Sequence, residues 1–205
     1  MGPSRSSCKH FSPGKASGFT LPEIMISAAL MLIILGLVMK LMVVGTNRLD
    51  LMEKKAELQR EMSLAFVWMV REMRETDADS IQTQPDGVIF ATPRNTDGDV
   101  LFDTAGRLLW HQYYCYYVDT VKGKSVLLRK SRSISPPAFS PPPAPPVDSL
   151  RLSTTAPTKI KARNIKALSV DSTVSPMELT LMGEVTARGD RTYGMELKTR
   201  VYFRN

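Results

Sequence analysis

The sequence predicts an α+β fold: one long N-terminal helix packed on an antiparallel β-sheet head. Three observations lead there. Residues 19–44 carry only two charges, Glu23 and Lys40. Residues 45–79 keep an apolar stripe at three-to-four-residue spacing among many charged side chains. From Gln84 onward apolar residues alternate with polar ones between clusters of turn-forming residues, the period-two pattern of half-buried strands.

The apolar run comes first. At about 1.5 Å per residue, residues 19–44 are roughly 39 Å long as a helix, enough for a hydrocarbon core of about 30 Å. They read as one transmembrane helix. Glu23 stands at its start, inside apolar sequence. A carboxylate at the centre of such a helix costs about 2.5–3.5 kcal/mol, less near the interface, and invites a functional reading with a named partner. A plainer role is also open to it, because a carboxylate in the first turn complements the helix dipole. Pro22 suits a first turn as well.

Residues 1–18 form a leader rich in Ser, Pro, Gly and Lys, with Arg5, Lys9 and Lys15 and no acidic residue. Basic residues before a span hold that end in the cytoplasm and send the remainder across. A secretory signal peptide is the rival reading, but the apolar run is too long for its core and no small-residue cleavage site closes it. The net charge of +7 and isoelectric point near 9.5 are partly the leader's doing. Without those three bases, 24 basic residues face 20 acidic ones, about +4. Two cysteines are present, Cys8 in the leader and Cys115 in the head.

Gly18-Phe19-Thr20-Leu21-Pro22-Glu23, followed by some twenty apolar residues, resembles the processing signature of type IV prepilins and type II secretion pseudopilins. The resemblance implies a pilin-like fold and a chain cut after Gly18 by a membrane-bound prepilin peptidase. Phe19 would become the N-methylated first residue, and Glu23 the carboxylate that meets a neighbouring subunit's terminal amine. It further implies residence in the inner membrane as a single-pass protein, N-terminus cytoplasmic and head outside. From there the chain would pass into a helical filament of other pilins or pseudopilins, through an inner-membrane assembly platform and in contact with membrane lipid. After such a cut Cys115 would be alone, so the disulfide that closes the C-terminal region of many major pilins could not form.

Beyond Val44 the helix is expected to continue. Leu49, Met52, Ala56, Met62, Ala65, Phe66, Met69 and Met73 make the stripe, and no proline occurs between Glu23 and Gln84. The expected stop is at residues 76–80, after about sixty residues. Gly36 and Gly45 are weak points, each costing about 1 kcal/mol relative to alanine. The stripe is expected to pack on the chain's own head, with a free coiled coil as the alternative.

In residues 80–205 the strands follow in order. Residues 87–92 read as a strand, and Asn95-Thr96-Asp97-Gly98-Asp99 as a polar turn. That turn has the acidic look of a calcium loop but no downstream bidentate glutamate, and no metal is expected. Residues 108–118, LLWHQYYCYYV, put four tyrosines around Cys115. With the turn at 121–124 and the strand at 125–130, this hairpin resembles the minor pilins and J-type minor pseudopilins over residues 110–129. Residues 135–147 hold seven prolines and read as an extended surface excursion from the sheet. Residues 159–163 alternate as an exposed strand does. The last hairpin turns Met177, Leu179, Leu181, Gly183, Val185 and Ala187 inward, then Tyr193, Met195, Leu197, Val201 and Phe203. Its turn is Arg188-Gly189-Asp190-Arg191, ordinary turn chemistry that also spells an adhesion tripeptide. The ending LKTRVYFRN is similar to that of pilin-like minor subunits.

Catalytic chemistry is not visible. His111 is the one histidine past the leader, and the sequence shows no nucleophile–base pair, clustered metal ligands or phosphate-binding glycine loop. The chain is expected to be a peptidase substrate, not an enzyme, and to need no cofactor. Two other readings stay open. Arg129, Lys130, Arg132, Lys159, Lys161, Arg163 and Lys166 could form a basic face for nucleic acid, as in a DNA-uptake pilus, with a solvated strand face as the bland alternative. The chain could instead be a single-pass anchored protein whose head binds a ligand.

Overall fold

The computed structural model describes residues 18–85, 87–172, 174–187 and 191–203. The fold is α+β. A helix, α1 (Leu21–Arg74), is followed by eight strands, a five-residue helix and a single 3-10 turn. The chain divides into two compact units, Met1–Thr46 and Asn47–Asn205. In the first, the described residues are the apolar part of α1 and the three residues before it, none of them buried. The expected leader lies outside the described residues apart from Gly18.

The second unit contains the remainder of α1 and two antiparallel sheets. The larger has the order β1 (Gln82–Gln84), β2 (Gly87–Thr92), β3 (Trp110–Val121), β4 (Lys124–Ala138), β5 (Thr158–Arg163). The smaller has the order β6 (Ile165–Asp171), β7 (Met177–Ala187), β8 (Arg191–Val201). Lys122 and Gly123 take positive φ angles of 51° and 75° and close the β3–β4 hairpin at the pair Val121–Lys124, as a two-residue turn requires. Asn164, at φ 59°, turns the chain from one sheet to the other, and its carbonyl accepts the Glu184 amide at 2.9 Å. Asparagine tolerates that left-handed conformation better than most residues. The residues Arg188, Gly189 and Asp190, expected as the β7–β8 turn, and the terminal Arg204 and Asn205 lie outside the described residues.

The stripe on α1 packs on the head, but its contact begins at Leu58. Leu49, Met52 and Ala56 are exposed, whereas Leu58, Met62, Ala65, Phe66, Met69 and Met73 are buried. The hairpin's turn end explains the change. Lys54 Nζ donates to the Thr186 carbonyl and Lys55 Nζ sits 3.8 Å over the Tyr193 ring, beside the end of the hairpin. The helix ends at Arg74, short of the expected stop. Asp77 then caps the 3-10 turn Ala78–Ser80 by accepting from the Asp79 amide.

Each face of β3 lies in a different core. Tyr114 and Tyr116 join Phe90, Leu127 and the α1 stripe. Trp110, Tyr113, Cys115 and Tyr117 face the other way, onto Ala144, Val147 and Leu150. The cover on that second face is the proline-rich stretch with α2 (Val147–Arg151). Most of residues 135–147 lie at the surface, as expected, but Ala144 and Val147 are buried against the sheet. The stretch begins as the end of β4, where Ala138 pairs with Trp110, and then crosses the sheet, with Tyr113 Oη donating to the Pro143 carbonyl at 3.2 Å. Prolines suit this because a layer that packs through side chains and carbonyls has no need of ladder amides.

Gly183 of β7 lies directly against side chains of α1. A Cβ there would stand 2.7 Å from Met62 Sδ, 2.8 Å from Leu58 Cδ1 and 3.2 Å from the Asn164 carbonyl oxygen. Gly183→Ala is therefore expected to lower head stability by about 1–3 kcal/mol, the usual cost of overpacking a full core. Urea unfolding followed by circular dichroism measures it, and an unchanged midpoint would mean that the helix stands further off.

Candidate functional site: the N-terminal helix and the charged anchors of the head

The helix start is built by backbone geometry. The Thr20 carbonyl accepts from the Glu23 and Ile24 amides at 3.0 and 3.2 Å, which begins α1 just after Phe19. Pro22 falls in the first turn, where a missing N–H is harmless. Gly18, Phe19 and Glu23 all lie exposed at this end of α1. Among the described residues, no side chain hydrogen-bonds or ion-pairs with Glu23. Lys40, the other charge in this stretch, is about 25 Å further along by helical rise. The α1 helix is long and apolar enough to cross a membrane, and no residue of its most apolar window is buried. Leaving these roughly twenty exposed apolar side chains in water forfeits roughly 25 cal/mol per Å².

The head's charged residues are mostly used internally. Glu72, 5% exposed, accepts from Tyr116 Oη at 2.5 Å and ion-pairs with Arg129, whose guanidinium lies over the Tyr114 ring. Three elements, α1, β3 and β4, thus share one buried polar cluster. Three residues on, Glu75 takes a two-pronged contact from Arg94 at 2.6 and 2.5 Å, and Arg94 also donates to the Gly98 carbonyl. This ties the end of α1 to the loop after β2. In that loop Asn95 Oδ1 accepts from the Asp97 and Asp99 amides. The expected polar turn is thus closed by its own first side chain. Among the described residues no three His, Cys, Asp or Glu side chains are placed to hold a metal.

The proposed basic face is divided by the strand alternation. Arg129 points to the helix side, and the register sets Lys159 opposite it. Lys161 also lies there, 4.9 Å over the Trp68 ring, its pKa lowered by burial first and then by Arg129. Lys130 points the other way and is nearly buried, donating to the Arg151 and Ser153 carbonyls at 2.6 and 2.8 Å. Arg132 shares its side by alternation, and the register places Arg163 opposite Val126 on that same side. Lys166 pairs with Glu184 on the smaller sheet. Reading the run from sequence missed the alternation of β4 and the carboxylate of Glu72 waiting on the helix. No family model, curated protein or solved structure matches this chain.

Burial also raises the acids of β3. The Cys115 thiol is pushed up to about 12 and the Tyr117 phenol to about 12, chiefly by loss of water. Tyr113 and Tyr114 are raised for the same reason, and Tyr116 further by the Glu72 carboxylate beside it. His111, on the same strand, has an enclosed Nε2 with no hydrogen-bond partner among the described residues.

Two outcomes follow from this geometry. Glu72→Leu strands Arg129 without its carboxylate and is expected to cost about 3–5 kcal/mol, while Glu72→Leu/Arg129→Leu costs less than the single change. Urea midpoints of the single and double variants decide it, and strict additivity would show that the pair is not coupled. Separately, groups whose folded pKa lies above the unfolded value stabilise the fold fully below that unfolded value, about 9–10 here. That contribution disappears as the pH rises toward about 12, so the melting temperature is expected to fall over this window; a flat profile would mean these groups are solvated.

Proposed function

We propose that this chain is a pilin-like subunit, a minor pilin or pseudopilin, built into a filament through its N-terminal helix after removal of residues 1–18. The observation that carries the reading is the placement of Gly18-Phe19-Thr20-Leu21-Pro22-Glu23 at the start of a helix whose most apolar window has no buried residue. In this reading the membrane covers the helix first and neighbouring helices cover it afterwards. A prepilin peptidase cuts after Gly18, Phe19 carries the methylated amine, and the head faces away from the cytoplasm. The chain is the peptidase's substrate and performs no catalysis itself.

Glu23 then acts between subunits. An uncompensated carboxylate disfavours a helix left alone in lipid, and a neighbour's terminal amine in a dry bundle is a strong partner because attraction grows as water is excluded. The nucleic-acid reading gains no support from a basic set split between two sides of a sheet, with Arg129 and Lys130 engaged internally.

The test is one preparation of membrane-extracted protein from a cell that has the filament machinery, read by mass spectrometry and by co-purification of partner subunits. Wild type is expected to begin at methylated Phe19. Gly18→Val is expected to keep Met1 or the leader. Glu23→Val is expected to fold and insert yet recover its neighbours several-fold less well. A wild-type chain that retains the leader would overturn the proposal.

A further inference from the structure

The geometry points to a second assembly surface on the head: the free edge of β8 with the groove beside it, which would accept an extended, acidic and apolar strand from another protein. The inference does not depend on cleavage at Gly18.

Three observations support it. Among the described residues, β8 is paired only with β7 and its other edge meets no strand. The pairing with β7 runs unbroken through all eleven residues, from Arg191 to Val201, with no register shift. Exposed edges are ordinarily blunted by a proline, a bulge, brevity, edge charges or an inward-pointing charge, and of these β8 carries only outward charges, Lys198 among them. Here Tyr193, Met195, Leu197 and Val201 point inward and no proline interrupts the strand. Second, an open groove of about 820 Å³ lies between this edge and the distal part of α1. Its apolar wall includes Val67, Val70, Leu197 and Tyr202, of which Val67 and Tyr202 are more than half exposed. An added strand would meet a hydrogen-bonding edge on one side and an apolar slot on the other, the two elements of strand-addition binding.

The charge around the groove selects the occupant. Arg71 and Arg74 line it and have no carboxylate partner among the described residues. Glu75, the groove's own acid, is held by Arg94, and Lys198 is held by Glu178. Two uncompensated positive charges therefore face the slot. A second copy of β8 is a poor match. It would bring Arg191, Lys198 and Arg200 against a single Glu196, a net of about +2, and like charges placed together suppress a wrong partner. A strand alternating apolar and acidic residues satisfies both features.

The test uses the full chain in detergent micelles and two labelled synthetic peptides, one alternating valine with glutamate and one alternating valine with lysine. Fluorescence anisotropy gives affinity, and amide hydrogen exchange gives location. The glutamate peptide is expected to bind about tenfold or more tighter than the lysine peptide and to slow exchange along β8. Arg71→Glu/Arg74→Glu changes two exposed helix residues outside the core and is expected to reverse the preference. Equal binding of both peptides, no binding of either, or protection elsewhere than β8 would overturn the proposal. So would dimerisation of the peptide-free chain through β8, which would make a second copy the occupant.

Discussion

The burial of one helical stripe under two separate sheets is the interaction on which the head depends. Among the described residues, no strand pair joins the five-stranded sheet to the three-stranded one. Phe90, Tyr114, Tyr116 and Leu127 from the first sheet, and Ile165, Leu168, Leu179 and Leu181 from the second, meet in one core with Leu58, Met62, Met69 and Met73. The methionines fit this position. Their unbranched, polarisable side chains fill the irregular gaps that two differently twisted surfaces leave around a cylinder. Gly183 sets how near the helix can approach.

The buried charges reinforce that arrangement by fixing its register. An apolar stripe can slide or rotate by a turn at modest cost, but Glu72 has to meet both Tyr116 and Arg129, and Glu75 has to meet Arg94. A displaced helix would leave Glu72 and Arg129 poorly paired in a largely dry interior, where an unpaired charge is far more costly than a lost methyl contact, and would break the partly exposed Glu75–Arg94 pair as well. Apolar packing thus supplies most of the attraction, and the two ion pairs restrict it to one alignment.

Much of this was legible in the sequence, and the failures have physical causes. The long helix, the β2, β3 and β4 strands and the inward faces of β7 and β8 could be read because strict periodicities of 3.6 and 2 survive in them. The start of contact at Leu58 could not, since Leu49 and Met52 look like the rest of the stripe and only the reach of the sheet tells them apart. The packed role of the proline-rich stretch was hidden because composition marks it as extended and says nothing of what it lies against. β6 was missed because its turn rests on one Asn164 in a left-handed conformation, without the glycine that usually marks such a corner. The basic residues of β4 and β5 were legible as charges but not as sides, because a one-residue difference in a strand reverses the direction of the side chain.

The second layer over β3 has a consequence for redox chemistry. Cys115 lies fully enclosed beneath Val147 and its neighbours, its thiol facing a backbone carbonyl, and it is the sole cysteine among the described residues. Thiol oxidation and disulfide exchange both begin with a thiolate that reaches solvent. While the proline-rich cover stays closed, the cysteine can neither cross-link two copies nor be trapped by a small oxidant. Its chemical state would record whether that cover had ever opened.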